Sequence, residues 1–276
     1  MPLTATGQLV GQAQANGTGV AAFNVITLEH AEAIVAGAEH AGRAVILQIS
    51  ENAVRFHHGR LAPIAAATIA VAELAAVPVA VHLDHVESRD LLHAVLGTGI
   101  SSAMFDASTR DYAGNVAATA EAAGWAHEHG LWLEAELGEV GGKDGAHAPG
   151  VRTDPAEAVE FVAATGVDAL AVAVGSSHAM TDRTAALDFD LIGRLREALA
   201  VPLVLHGSSG VPDGDLTRAV RAGIVKVNVG TILNVAFTDA VRAQLDAGPV
   251  VDPRRYLAPA REAVARTVAH LVTTIS

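Results

Sequence analysis

The chain contains no cysteine, which removes disulfide staples and thiolate metal sites from consideration. Basic residues are also scarce. Lys and Arg number 18 against 30 Asp and Glu, a formal charge of −12, and general nucleic-acid binding needs the opposite balance. Only 17% of residues are charged while 51% are hydrophobic, which argues against a disordered chain and for a buried α/β protein. The N-terminal "MPLTATGQLVGQAQANG" lacks a basic segment followed by an apolar core, so it does not read as a signal peptide. The most apolar stretch, "LAPIAAATIAVAELAAVPVAV", is broken by Pro63, Glu73 and Pro78 and reads as a helix running into a strand rather than a membrane span. The expectation is a soluble cytoplasmic protein with neither membrane nor nucleic acid as partner. Any metal must be held by His, Asp or Glu, and 13 histidines are available.

Short runs rich in Val, Ile, Leu and Ala recur through the 276 residues at 19–25, 44–50, 77–85, 101–108, 131–139, 168–178, 201–210 and 224–231. Ala-rich or amphipathic segments at 29–41, 60–76, 88–97, 115–129, 155–165, 188–199 and 213–222 separate them. Near-continuous apolar strands alternating with helices imply a parallel sheet covered on both sides. Eight evenly spaced units predict a closed (β/α)8 barrel, an open doubly wound sheet being the alternative. No Pro/Ser tract divides the chain, so residues 1–276 are expected to form one domain.

The runs share a polarity. Almost every one is apolar at its start and carries polar or ionisable residues toward its C-terminal end: Asn24, Ser50, Asp84 with His85, Asp106, Glu134 with Glu136, His178, His206 and Asn228. In a barrel all these ends lie on the face where active sites are built. His85, His178 and His206, from the third, sixth and seventh runs, would bring three imidazoles together and leave one position of a zinc ion open, as catalytic zinc sites do. His82 lies deeper, in a packing or second-layer role, and His57 and His58 are read as loop surface.

The motifs "VHLDH", "EAELGEVGG", "VAVGSSH", "PLVLHGSSGVP" and "KVNVGT", in this order, resemble the class II, zinc-dependent aldolases that cleave ketose bisphosphates such as fructose or tagatose 1,6-bisphosphate. The resemblance runs from "AFNV" to about residue 265 and implies the same barrel. It implies Zn2+ on His85, His178 and His206, with a monovalent cation as a further possibility. Asp84 then becomes the acid/base at the C4 hydroxyl. Asp106 and Glu136 match carboxylates near the metal or at an alternative resting position for it, and Glu134 stands one layer behind. Asn24 and Ser50 match positions that contact substrate hydroxyls and the leaving aldehyde. The glycines and hydroxyls of "HGSSG" and "NVGT" suit phosphate binding, with Gly207, Ser208, Ser209, Asn228 and Thr231 as candidates. A small sugar phosphate is the implied partner, and homodimers or homotetramers the implied assembly.

The sequence departs from the family pattern in places. The loop after the fifth run reads "GGKDG", which puts Asp144 where a Glu commonly exchanges a proton at dihydroxyacetone phosphate. Ala179 replaces a common Gly. Gly230 and Asn234 stand where fructose-bisphosphate members commonly carry Asp and a basic residue, losses similar to those of the tagatose-type branch. Arg55 and Arg261 are then the candidates for the distal phosphate. Three other readings remain open. Lys226 could form a Schiff base. A zinc hydrolase could occupy the same barrel, although the first strand lacks the His-x-His pair such sites use. A sugar-phosphate-binding subunit could retain the barrel without catalysis.

Overall fold

Residues 2–137 and 152–276 are described by the computed structural model of the chain. Its helices are α1 (Thr6–Asn16), α2 (Leu28–Ala41), α3 (Glu51–Phe56), α4 (Leu61–Leu74), α5 (Arg89–His93), α6 (Tyr112–Glu128), α7 (Pro155–Thr165), α8 (Phe189–Ala198), α9 (Asp213–Ala222), α10 (Thr231–Asp246) and α11 (Arg254–Ile275). The strands are β1 (Val20–Asn24), β2 (Val45–Ser50), β3 (Val79–Val86), β4 (Ser102–Phe105), β5 (Trp132–Glu136), β6 (Ala169–Ala171), β7 (Leu203–Leu205) and β8 (Ile224–Val229). Each strand pairs in parallel with the next, and β8 pairs back onto β1. The architecture is the closed (β/α)8 barrel that the strand pattern predicts.

Alternation along the strands separates two environments. Phe23, Leu47, Val81, Leu83, Phe105, Leu133, Leu170, Leu205 and Val227 point outward into the large core beneath the helices. The opposite parity faces the barrel interior. At its floor, Leu9, Val10 and Ala13 of α1 pack on Val20, Ala22, Ile46 and Ala80, closing the N-terminal end. Further up, the interior carries Gln48, His82, Ser102, Glu134, Lys226 and Asn228, all buried. Branched apolar residues usually dominate barrel interiors, so this polar column is the unusual feature of the fold. Its members must satisfy one another.

The strands are shorter than the sequence suggests. The sixth was expected to run 168–178 and the seventh 201–210, but their ladders end at Ala171 and Leu205. His178 therefore sits in a turn well beyond β6, not at a strand end. Apolarity continues through Val172 and Val174, both fully buried, because the connecting loop packs into the outer core after leaving the sheet. Helices α1, α3 and α11 are not evident from the pattern. The segment "TGQLVGQAQAN" of α1 is Gln- and Gly-rich and gains its helicity by packing under the barrel, while α3 depends on Ser50, whose hydroxyl accepts from the Ala53 N–H as an N-cap. No helix among the described residues is long and apolar enough to cross a membrane.

Candidate active site

The mouth of the barrel is shaped by an irregularity in β3. Leu83 pairs with Ala103 and Val86 with Phe105, so β3 carries one residue more than β4 across this interval. His85 takes φ 49°, a left-handed conformation that costs a residue with a β-carbon about 1–2 kcal/mol. Strict alternation would send Asp84 and His85 to opposite faces of the sheet. The bulge turns both into the mouth and returns Val86 to the outer core. A strand that ends in "LDH" can thus present two consecutive functional groups to one cavity.

That cavity holds about 440 Å³. It is lined by Asn24, Ser50, Asp84, His85, Asp106, Glu136, His178, His206, Gly207, Ser208, Ser209, Asn228 and Thr231, all picked out from the sequence. Glu134 lies beneath the lining, fully buried. Asp144 falls outside the described residues. Arg55, anticipated as a candidate for the distal phosphate, and Asn234, noted as a departure from the family pattern, also line the cavity, as do Gln48, Glu51, Asn52, Glu87 and Ser108, which were not anticipated. Gln48 could have been found by parity, since it shares a face with Ser50, and its amide Nε2 donates to Asn24 Oδ1. Glu51 and Asn52 arrive on α3, whose short length left no periodic signal, and the same helix carries Arg55.

One nitrogen each from His85, His178 and His206 lies within 4.8 Å of the others. His85 Nε2 and His206 Nδ1 are 3.0 Å apart, close to the roughly 3.3 Å that two ligands subtend on a tetrahedral ion with Zn–N near 2.0 Å. Carboxylates orient two of these rings. His85 Nδ1 is 2.8 Å from Asp106 Oδ2, and His206 Nε2 is 2.9 Å from Glu134 Oε1. An imidazole whose far N–H donates to a carboxylate is fixed in the tautomer that offers its other nitrogen to a metal. Glu134 Oε2 in turn accepts from Lys226 Nζ at 2.8 Å, and Lys226 also donates to Asn228 Oδ1 at 2.8 Å. This pairing accounts for the inward lysine without assigning it nucleophilic chemistry. His85, Asp106 and Glu136 form a second set of atoms within the same mutual distance, a possible alternative seat for an ion.

Electrostatics favour a cation here. Burial disfavours charge on His85, but Asp84, the hydrogen bond to Asp106 and the field of Glu136 outweigh it and raise its pKa to about 10. Burial likewise works against ionised Asp106, yet the contact with His85 holds it well below the usual carboxylate range. Asp84 is raised by burial, with His85 and Lys226 opposing. Four carboxylates, Asp84, Asp106, Glu134 and Glu136, surround the imidazoles with Lys226 as their buried counter-charge. Imidazoles within an acidic surround suit zinc or a similar divalent ion, which would take the place of the proton on His85.

The loop after β7 borders the cavity. Gly207 has φ 65°, and a β-carbon there would lie 2.5 Å from the Ser177 carbonyl carbon, so only glycine fits this close approach. Ser208 Oγ turns back to donate to the Leu205 carbonyl, and Ser209 Oγ accepts from the Ile232 N–H in the first turn of α10. Thr231 opens that helix beside Gly230. Ala179, in place of the usual glycine, keeps a left-handed φ of 60°. Of the two arginines considered for a distal anion, Arg55 lines the cavity and pairs with Glu51. Arg261 of α11 is bonded to Glu32 and does not line the cavity. His57 Nε2 contacts the Ile26 carbonyl at 2.7 Å, and His58 is exposed.

A barrel mouth built around clustered imidazoles, buttressed by carboxylates and flanked by a glycine–serine loop, is the arrangement of a barrel enzyme with a candidate metal centre. Comparison with known proteins makes this specific. Residues 4–276 match the family model described as fructose-bisphosphate aldolase class-II. The chain is 40% identical over 272 residues to a probable fructose-bisphosphate aldolase of Bacillus subtilis strain 168, covering 97% of this chain and 95% of that one. It is 38% identical, with the same coverage, to the fructose-bisphosphate aldolase of Staphylococcus aureus strain Mu50. Among solved structures, the YdjI aldolase of Escherichia coli K12 superposes with a TM-score of 0.87 at 32% identity, covering 99% of this chain and 97% of that one. The chain belongs to the class II fructose-bisphosphate aldolase family. It is a carbon–carbon lyase with class II ketose-bisphosphate aldolase activity, and enzymes of this class use a divalent metal, typically zinc.

Proposed function

We propose that the whole chain acts as one catalytic domain that reversibly cleaves fructose 1,6-bisphosphate to dihydroxyacetone phosphate and glyceraldehyde 3-phosphate. The observation that carries this reading is the convergence of His85, His178 and His206 within 4.8 Å beside the buried carboxyl of Asp84. The three histidines would hold the zinc ion, which supplies Lewis acidity at the ketone end of the substrate. Asp84 takes the proton from the C4 hydroxyl as the C3–C4 bond breaks and returns it in the reverse direction. Asn228 Nδ2 lies 3.4 Å from Asp84 Oδ1 and holds that oxygen in place. The Gly207–Ser209 backbone and the N-terminus of α10 at Thr231 receive the phosphate of the dihydroxyacetone half. Asn24 and Ser50 face the hydroxyls and the departing aldehyde.

Tagatose 1,6-bisphosphate is the second reading. It is favoured by Gly230 and Asn234, which line the cavity where fructose-type members commonly carry Asp and a basic residue. Assay of the zinc-loaded protein against both bisphosphates tests the assignment, with Asp84→Ala as control and chelator added in parallel. Cleavage should disappear with chelation and return with zinc, and Asp84→Ala should bind zinc yet lose turnover. Near-normal turnover by that variant would remove Asp84 from its role.

A further inference from the structure

We propose that His82 is the positioning residue of Asp84, holding the carboxyl from below through a hydroxyl chain rooted in α1. This inference rests on the reading of Asp84 as the proton-transfer group.

His82 is completely buried, two residues before Asp84 on the same face of β3. Its ring is pinned on one side. Nδ1 lies 2.8 Å from Ser102 Oγ, Ser102 Oγ lies 2.6 Å from Thr6 Oγ1, and Thr6 Oγ1 lies 3.2 Å from Ser101 Oγ. The Thr6 backbone N–H donates to Ser101 Oγ at 3.0 Å, fixing the first residue of α1 at the end of this chain. Trp132 approaches the imidazole edge-on, with centroids 6.4 Å apart. The ring is therefore placed by contacts on its Nδ1 side, all of them remote from the cavity.

The other nitrogen is different. His82 Nε2 is buried and has no hydrogen-bond partner among the described residues. Leaving such an atom unpaired costs about 1–3 kcal/mol. The carboxyl oxygen facing it is Asp84 Oδ1, at 3.9 Å, and a movement of roughly 1 Å closes that gap to hydrogen-bond length. Asn228 Nδ2 approaches the same oxygen. With that gap closed, both groups would restrain Oδ1 and leave Oδ2 to meet the substrate. Burial and the Lys226 charge push the ring's pKa well below its usual value, favouring the neutral form, and a neutral imidazole can offer either an N–H or a lone pair at Nε2. Because the hydroxyls of Ser102 and Thr6 rotate, Nδ1 can accept from or donate to Ser102.

Two amide substitutions separate this role from packing. His82→Gln places an amide near the Nε2 position facing Asp84, whereas His82→Asn places one near the Nδ1 position facing Ser102. His82→Asn should lose roughly 10–100-fold in kcat with KM nearly unchanged, while zinc stoichiometry stays at the wild-type value. His82→Gln should recover most of that loss. Equal kcat in the two variants, or losses that follow their thermal midpoints, would overturn the inference. Asp84→Asn run in parallel keeps the two readings apart. An active Asp84→Asn removes the proton-transfer assignment and this inference with it. An inactive Asp84→Asn alongside His82→Asn with wild-type kcat overturns the His82 role alone. If His82→Asn does not fold, Ser102→Ala carries the test, because it keeps the ring and removes the group under Nδ1. A several-fold fall in kcat at constant KM is expected there, and an unchanged kcat overturns the inference.

Discussion

The buried pair of Lys226 and Glu134 allows the sharpest quantitative test. Both side chains are 0% exposed, with Nζ and Oε2 2.8 Å apart. Lys226→Met keeps most of the aliphatic volume, so the cavity contribution is small, but it strips Glu134 of its ammonium partner. Removing one member of a buried ion pair costs about 3–5 kcal/mol. In a chain of this size each kcal/mol is worth about 2–4 °C, so the midpoint should fall by roughly 6–20 °C. Glu134→Gln should cost a similar amount by orphaning Lys226. The double variant leaves neither charge behind and should recover much of the loss, giving a coupling of about 2 kcal/mol or more.

Calorimetry or urea unfolding reads this directly, provided zinc is either absent or held at one concentration. A metal bound only by the native state would otherwise hide part of the loss. A Lys226→Met midpoint within about 3 °C of wild type, or a double variant equal to the sum of the singles, would show that the pair is not the anchor of the interior network. The same geometry predicts that borohydride in the presence of substrate leaves the wild-type protein untrapped, since the lysine is held between Glu134 and Asn228. Covalent trapping at Lys226 would revive the Schiff-base reading.

Two further substitutions probe the metal and the phosphate ends. Asp106→Asn weakens the charged partner of His85 Nδ1 and should loosen zinc binding by about 10–100-fold, read by competition with a chromophoric chelator; unchanged affinity would mean that Asp106 does not orient the ring. Gly207→Ala forces a β-carbon to 2.5 Å from Ser177 at φ 65°, so the loop must shift. A rise in KM for the bisphosphate or a loss of at least about 1–3 kcal/mol in stability is expected, and a variant kinetically and thermally like wild type would contradict the close-approach argument.

The barrel was legible because its signal is repeated: each strand alternates with a helix, and outward residues such as Leu47, Val81 and Leu133 are apolar throughout. The candidate site was legible for a related reason, since interior and mouth positions of successive strands interrupt apolar runs with residues that are costly to bury alone. What the sequence hid is what depends on long-range packing. Helix α1 lacks a strong apolar stripe and forms because the barrel floor needs a cover. Glu51 and Asn52 reach the cavity on a six-residue helix, α3, too short to show a period. His178 was placed at a strand end because Val172 and Val174 extend the apolar run, yet the ladder stops at Ala171 and a turn brings the exposed imidazole to the cavity beside His85 and His206. Hydrogen-bond partners such as Thr6 and Ser102 are 96 positions apart, and nothing local marks them as a pair.

β3 shows how these levels meet. Its alternation alone would give His82 and Asp84 to the interior and leave His85 among the outer helices, an ionisable ring in an apolar layer. One inserted residue and one left-handed backbone conformation resolve this, at a strain of about 1–2 kcal/mol. The strand then delivers, from floor to mouth, a buried ring with an open nitrogen, a carboxyl and a candidate metal ligand. Because the bulge is fixed on both flanks, by Ser50 opposite Asp84 and by Phe105 opposite Val86, Asp84 and His85 cannot shift independently. That rigidity is what a proton-transfer group beside a metal requires, since an error of about 1 Å in its placement can cost on the order of 100-fold in rate.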